Sequence, residues 1–269
     1  MNPIDTLFRD LRAAGRKAFV PFLPAGDPDL AFTAELLPRV AAAGASLIEV
    51  GFPFSDPIAD GPVIQAAYTR ALSKHPTLDA IFAMTRQAKD AGVTVPMVAM
   101  ASYSLIWKKG PKKFAEAALA AGLCGAVVPD LPVEEAEEFG AVARDLGFAL
   151  TLLVTPTTSP ERAARIAAAC TGFVYVVSVV GITGQQSAAA SAVGDLMAKL
   201  RNLTDRPLCL GFGVSKPEQV AAYAPHCDGV IVGTALVKLL EAAWTPAGRA
   251  AALDAVPTLV RELASSLPA

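Results

Sequence analysis

The stretch from Gly125 to Val154, GAVVPDLPVEEAEEFGAVARDLGFALTLLV, decides the fold. It opens with a short apolar run at Gly125–Val128, turns through Val128-Pro129-Asp130-Leu131-Pro132, carries a helical candidate over 133–146 and returns to an apolar run at Ala149–Val154. Short β-branched runs bounded by turn residues read as buried strands, and the longer alanine-containing segment between them reads as a helix. The same unit recurs in both directions. Further strand candidates stand at Ala18–Leu23, Ser46–Gly51, Val95–Met100, Phe173–Ser178, Pro207–Gly211 and Gly229–Val232, making eight in all. Helical candidates lie near 29–43, 62–90, 111–121, 159–169, 192–202, 216–222 and 247–265. Ser159-Pro160 and Thr245-Pro246 place a capping residue before a proline at the first helical position, and Ser215 with Glu218 has capping-box spacing.

Eight nearly continuous apolar strands, each followed by a helix, predict a parallel sheet closed into a (β/α)₈ TIM barrel, with residues 1–269 as one domain. A doubly wound open sheet is the alternative, but no GxGxxG follows the first strand. Two additions are expected. The stretch Ile4–Ala14 precedes the first strand and reads as an extra N-terminal helix across the barrel's bottom. The segment 62–90 is longer than one crossover needs and is broken by Pro76-Thr77, so an extra helix is expected after strand two.

The composition agrees. The 269 residues are 53% hydrophobic and 18% charged, which supplies a large core and excludes the profile of a disordered chain. A formal charge of −2 gives no excess toward nucleic acid or an acidic membrane. Cys124, Cys170, Cys209 and Cys227 are widely spaced, without a CxxC pair or a secretory leader before them, and read as free buried thiols in the cytoplasm. The uncharged stretch between Arg165 and Asp195 is dense only over Phe173–Val180 and then turns polar, so it reads as a buried strand and a loop rather than a membrane span. His75 and His226 sit beside prolines, without a nucleophile motif or ligand spacing, so no metal site is expected. Trp107 with Lys108, Lys109, Lys112 and Lys113 reads as a solvated helix start.

Barrel enzymes build their sites from loops at the strands' C-terminal ends. After strand two the chain runs Ile48-Glu49-Val50-Gly51-Phe52-Pro53-Phe54-Ser55-Asp56-Pro57-Ile58-Ala59-Asp60-Gly61-Pro62. Glu49 falls inside the apolar strand, where burial favours the protonated form; it is either a structural acid or a catalytic acid/base. Asp60 stands at a helix start and is either a cap or a second working carboxylate. Gly211-Phe212-Gly213-Val214-Ser215 and Gly233-Thr234 end the last two strands, where small residues and a following helix can hold a phosphate through backbone N–H groups; ordinary tight turns are the alternative. Thr183-Gly184 would complete that pocket from a third loop.

These residues together carry a resemblance. The run from Ile48 to Gly61 reads without a break like the signature of the tryptophan synthase α subunit family. Ala25-Gly26-Asp27-Pro28, Val128-Pro129-Asp130-Leu131-Pro132, Ser178 through Gly181-Ile182-Thr183-Gly184, and Gly211-Phe212-Gly213 agree with it in order and spacing. The resemblance covers essentially the whole chain. It implies a lyase that cleaves indole-3-glycerol phosphate to indole and glyceraldehyde 3-phosphate in tryptophan biosynthesis, with Glu49 and Asp60 as the catalytic pair. Phe22, Tyr175, Thr183, Gly184, Phe212, Gly213, Gly233 and Thr234 would bind substrate, with Phe22 and Phe212 flanking the ring and Tyr175 supporting Glu49. It further implies a β subunit partner in an α2β2 tetramer, met through Pro53, Asp56, Pro57, Ser104, Pro129, Asp130, Leu131 and Pro132. No cofactor is expected in this chain, pyridoxal phosphate belonging to the β subunit. One departure stands out: Ser102-Tyr103-Ser104-Leu105 replaces the family's Tyr-Tyr-Asn-Pro, whose first tyrosine lines the substrate pocket and whose asparagine meets the β subunit. A solitary lyase releasing free indole, and a barrel that only regulates a partner, are the competing readings.

Overall fold

The computed structural model describes residues 2–177, 186–211 and 213–268. Its strands are β1 (Ala18–Pro24), β2 (Ile48–Gly51), β3 (Met97–Met100), β4 (Leu123–Val127), β5 (Ala149–Thr151), β6 (Leu153–Val154), β7 (Val174–Val177), β8 (Leu208–Gly211) and β9 (Gly229–Val232). They pair in the order β5-β4-β3-β2-β1-β9-β8-β7-β6, every pairing parallel. The two ends of that order, β5 and β6, are separated in the chain by Leu152 alone. Val128 N–H donates to the Thr151 carbonyl on one side and Tyr175 N–H to the Leu152 carbonyl on the other, at 3.1 and 3.2 Å. The fifth strand candidate therefore switches partners at its middle and closes the sheet, which is an eight-stranded barrel in all but this split.

Side chains alternate across the pleat, and the two faces form two separate apolar clusters. One fills the barrel, with Ala18, Val20 and Phe22 from β1, Val98 and Met100 from β3, Tyr175 from β7 and Ile231 from β9. The other lies between the barrel and its helices, with Phe19, Leu23, Ile48, Val50 and Val176. The fully buried Phe52 and Phe114 lie in this layer, 6.1 Å apart.

The helices are α1 (Pro3–Ala13), α2 (Leu30–Ala42), α3 (Pro62–Leu72), α4 (Leu78–Asp90), α5 (Tyr103–Lys109), α6 (Pro111–Ala120), α7 (Glu137–Leu146), α8 (Pro160–Ala169), α9 (Gln186–Arg201), α10 (Pro217–Tyr223) and α11 (Thr234–Ala264). Helix α1 plugs the barrel's bottom: Ile4, Phe8 and Leu11 are buried in the inner cluster, and Phe8 packs 6.0 Å from Phe173. Asn2 secures it, accepting from Ile4 N–H and donating to the carbonyls of Cys124 and Gly147 at 2.8 and 2.7 Å. Helices α3 and α4 are the expected pair in 62–90, parted by His75 in the left-handed region (φ 51) and by Thr77, which caps α4.

Three local expectations are corrected. Helix α5 had no candidate, although Ser102 caps it by accepting from Ser104 N–H at 3.2 Å, and Asp130 from a distant loop accepts from Tyr103 N–H. Helix α11 begins at Thr234 rather than near 247, and its break falls at Gly248 (φ 73) instead of Thr245-Pro246. At α10 the residue that reaches back is Gln219, whose Oε1 accepts from the N–H groups of Ser215 and Lys216 at 2.9 and 3.1 Å. The Ser215–Glu218 box does not form. The four cysteines are buried and unbridged, and burial pushes the thiols of Cys124, Cys170 and Cys227 up to about 12. Among the described residues no helix is long and apolar enough to cross a membrane, and no group of three or more His, Cys, Asp or Glu is placed to hold a metal.

Candidate active site

The β1–β2 register places Phe22 beside Glu49, so both side chains point into the barrel at one level near the strands' C-terminal ends. Glu49 is 1% exposed, and neither carboxylate oxygen has a hydrogen-bond partner. A cavity opens above it, walled by the apolar Phe22, Ile64, Met100 and Ile231. Burial, and after it the negative charge of Asp60, raises the Glu49 carboxyl from 4.5 to about 8. At neutral pH it holds a proton. Tyr175 enters the same cavity from β7, and Gly211 makes room for it: a β-carbon there would stand 2.1 Å from the phenol oxygen. Tyr175 shapes the wall without donating a hydrogen bond to Glu49. Burial, with Glu49 and Asp60 nearby, raises its phenol well above 10, so it stays protonated.

Asp60 is brought to the opposite wall by the loop after β2. Phe52 N–H donates to the Met100 carbonyl at 2.8 Å, and Phe52 packs edge-on against Phe82, which anchors the loop's start. Its end is fixed by Asp60 N–H to the Pro57 carbonyl at 3.0 Å and by Gln65 Nε2 to the Asp60 carbonyl at 2.8 Å. The cap position of α3 is Gly61, and no side chain caps that helix. The Asp60 carboxylate is thus free of the capping role and lines the cavity with Glu49. Burial, then the charge of Asp130, raises it from 3.8 to about 6, which leaves it largely ionised at pH 7. Two carboxyls in one apolar cavity, one protonated and one ionised, form a general acid facing an anion.

The far end of the cavity is formed by Gly213, Val214, Gly233 and Thr234. Gly213 has φ 78, a conformation that favours glycine. Helix α11 starts here with Gly233 at its cap position and no capping side chain, so the N–H groups of its first turn face the cavity end without a side-chain acceptor. Ser215 and Lys216 differ, since Gln219 already occupies their N–H groups. Among the described residues, an anion at this end would meet Gly213, Val214 and the start of α11. Thr183, Gly184 and Phe212 lie outside the described residues.

Three apolar lining residues, Ile64, Met100 and Ile231, were not singled out in the sequence. Nothing distinguishes them there from core residues; only their inward register does. Of the surface candidates, Asp56, Ser104 and Pro132 are exposed and Pro57 and Pro129 partly so, whereas Pro53 and Leu131 are buried. Asp130 is spent inward: it accepts from Ser102 Oγ at 2.5 Å and from Tyr103 N–H at 2.8 Å. Ile58, 85% exposed at the tip of the same loop as Asp56, is an apolar side chain that the sequence reading passed over.

The family model described as tryptophan synthase alpha chain matches residues 8–267. A tryptophan synthase alpha chain of Rhodopirellula baltica is 45% identical over 97% of this chain and 95% of its own length. One from Synechocystis is 46% identical over 99% of this chain and all of its own. Among solved structures, the tryptophan synthase subunit alpha of Legionella pneumophila superposes with a TM-score of 0.91 at 33% identity, covering 99% of this chain and 98% of that one. A chain from M. tuberculosis tryptophan synthase in an aminoacrylate-bound form superposes with a TM-score of 0.87 at 30% identity over the full length of both.

Proposed function

The chain belongs to the tryptophan synthase alpha chain family, lyases of tryptophan biosynthesis, and on that premise we propose that it cleaves indole-3-glycerol phosphate with Glu49 as proton shuttle and Asp60 as electrostatic partner. The observation that carries this is the pairing of a fully buried, protonated Glu49 with an ionised Asp60 across one apolar cavity.

The reaction breaks the bond between indole C3 and the first carbon of the glycerol chain. Glu49 donates its proton to C3, and the positive charge that develops at the ring nitrogen is stabilised by Asp60, which accepts the N–H hydrogen bond. The bond electrons return to the ring as the chain's hydroxyl becomes an aldehyde, and the hydroxyl proton passes to Glu49, restoring it. Indole and glyceraldehyde 3-phosphate leave. Phe22 packs against the flat ring, and the apolar walls keep water from competing for the proton. The phosphate rests at the Gly213 and α11 end. In the cytoplasm the chain works with a β subunit that carries pyridoxal phosphate, in an α2β2 assembly, meeting it through the exposed loop residues around Asp56, Ser104 and Pro132.

The test is to incubate the purified chain with indole-3-glycerol phosphate and assay indole, with and without a β subunit. Indole should appear in both, faster with the partner. The dependence of kcat/KM on pH should be bell-shaped, rising near 6 as Asp60 ionises and falling near 8 as Glu49 loses its proton. No indole under either condition would refute the reading.

A second expectation concerns the phosphate end. Gly213→Val places a branched side chain at a left-handed position, so it should weaken binding of glycerol 3-phosphate and also cost about 1–2 kcal/mol of stability. Lys216→Ala alters an exposed side chain and should bind nearly as the parent does. Calorimetry on both variants decides; lost binding in Lys216→Ala alone would replace the backbone cradle with a cationic site.

A further inference from the structure

Helix α3 differs from the helices of the outer layer, because its buried Ile64, Ala67 and Tyr68 belong to the cluster inside the barrel. It packs against β1 and α11, and its first turn holds the Asp60 loop through Gln65, whose Nε2 donates to the Asp60 carbonyl. A tilt or slide of α3 therefore moves the Asp60 carboxylate. Apolar packing is non-directional and does little to fix such a helix, whereas a forked ion pair is directional. Arg70, near the far end of α3, supplies one. Its Nε and Nη2 donate to the two carboxylate oxygens of Asp27 at 3.0 and 2.7 Å, and its Nη1 donates to Glu241 Oε1 at 3.0 Å. Asp27 is buried, and Glu241 is the surface partner.

Both anchors belong to the frame of the site. Asp27 follows β1, the strand of Phe22, in a turn where Gly26 N–H donates to Thr33 Oγ1 at 3.1 Å. One residue earlier, Ala25 N–H donates at 2.8 Å to the carbonyl of Gly51, at the end of the strand that carries Glu49. Glu241 lies about two turns along α11 from Thr234, where the helix forms the phosphate end of the cavity.

We propose that Arg70 is a positioning residue for the cleavage: by gripping Asp27 and Glu241 together, it sets the helix that holds Asp60 in register with Glu49 and with the phosphate end. The inference rests on the roles proposed for Glu49 and Asp60. A substrate that reaches from Asp60 past Glu49 to the phosphate end reacts only when all three are aligned, and a misplacement on the order of 1 Å costs about 10²-fold in rate. Lysine at this position keeps the charge but not the planar fork, so it cannot hold both Asp27 oxygens and Glu241 at once.

The test measures kcat and KM for indole-3-glycerol phosphate, and the binding of glycerol 3-phosphate, in the parent chain, Arg70→Lys, Asp60→Asn and the double variant. Arg70→Lys should lower kcat by about 10–100-fold, because the misplaced carboxylate acts in the transition state. Glycerol 3-phosphate should bind it as it binds the parent, since that ligand meets the end formed by Gly213, Val214 and α11 and does not reach Asp60. In the Asp60→Asn background the same change should cost no more than about twofold, the usual scatter of such cycles, because the group that Arg70 positions is gone. If Arg70→Lys does not fold, Asp27→Asn takes its place with the same expectations, the amide leaving Arg70 one oxygen to grip. An equal loss of kcat in both backgrounds marks Arg70 as a stabiliser of the fold alone and overturns the proposal. A parent-like kcat in the folded variant, or a parallel loss of glycerol 3-phosphate binding, overturns it too. Failure of the parent chain to cleave the substrate overturns the proposed function itself, and this inference with it.

Discussion

Glu49→Gln should bind substrate and glycerol 3-phosphate as the parent chain does, yet lose cleavage by at least ~10²–10⁴-fold, the usual contribution of a general acid–base group. The amide matches the carboxyl in shape, but it cannot release a proton to C3 or take one from the hydroxyl. The phosphate end of the cavity is formed by other elements, so binding there is untouched. The loss should fall on kcat, with KM little changed, because the interaction removed is one made in the transition state. Steady-state kinetics on the purified variant check this, and near-normal turnover would remove Glu49 from the mechanism.

The same substitution should stabilise the fold, increasingly so as pH rises. The Glu49 carboxyl titrates at 4.5 when unperturbed and at about 8 in the fold. Below pH 4.5 both states hold the proton and Glu49 costs no more than a buried neutral acid. Between 4.5 and 8 the unfolded chain has released the proton while the folded chain still binds it, so stability falls by about 1.4 kcal/mol per pH unit. By pH 8 the accumulated penalty is on the order of 4–5 kcal/mol, and it no longer grows once the folded form ionises as well. Glutamine carries no such proton. Urea unfolding of parent and variant at pH 5 and pH 8 should show a stability difference that widens by several kcal/mol at the higher pH. The same difference at both would mean that Glu49 is not held protonated by the fold. An inactive variant that is more stable than its parent marks a residue kept for chemistry at a cost in stability.

The barrel could be read from the chain because its strands are buried on both faces and therefore appear as unbroken apolar runs. All eight candidates are strands, and only the partner switch at Leu152 was invisible, since it depends on which neighbours lie on either side. Helix starts were legible at Ser159, where a proline follows the cap and a long alanine-rich run follows both. Helix α5 is only seven residues long and was missed although Ser102 caps it locally, its first turn being tied as well to Asp130, 27 residues onward. Helix α11 follows β9 through Gly233 with no capping side chain, and that missing cap is the feature that suits its end to an anion. In the site, Glu49 announced itself as a charge inside an apolar strand. Met100 and Ile231 could not, because an apolar residue facing a cavity and one facing the core look alike until the register assigns the pleat.

The central claim is that Glu49 carries a proton at neutral pH while Asp60 across the cavity does not. Carbon-13 NMR titration of the glutamate and aspartate side-chain carboxyls measures this directly, with the Glu49 resonance assigned by its loss in Glu49→Gln. The account predicts titrations of the pair near 8 and near 6, the upper one disappearing in the variant. A Glu49 carboxyl that titrates near 4.5 would leave no acid in the site at pH 7 and would contradict the account.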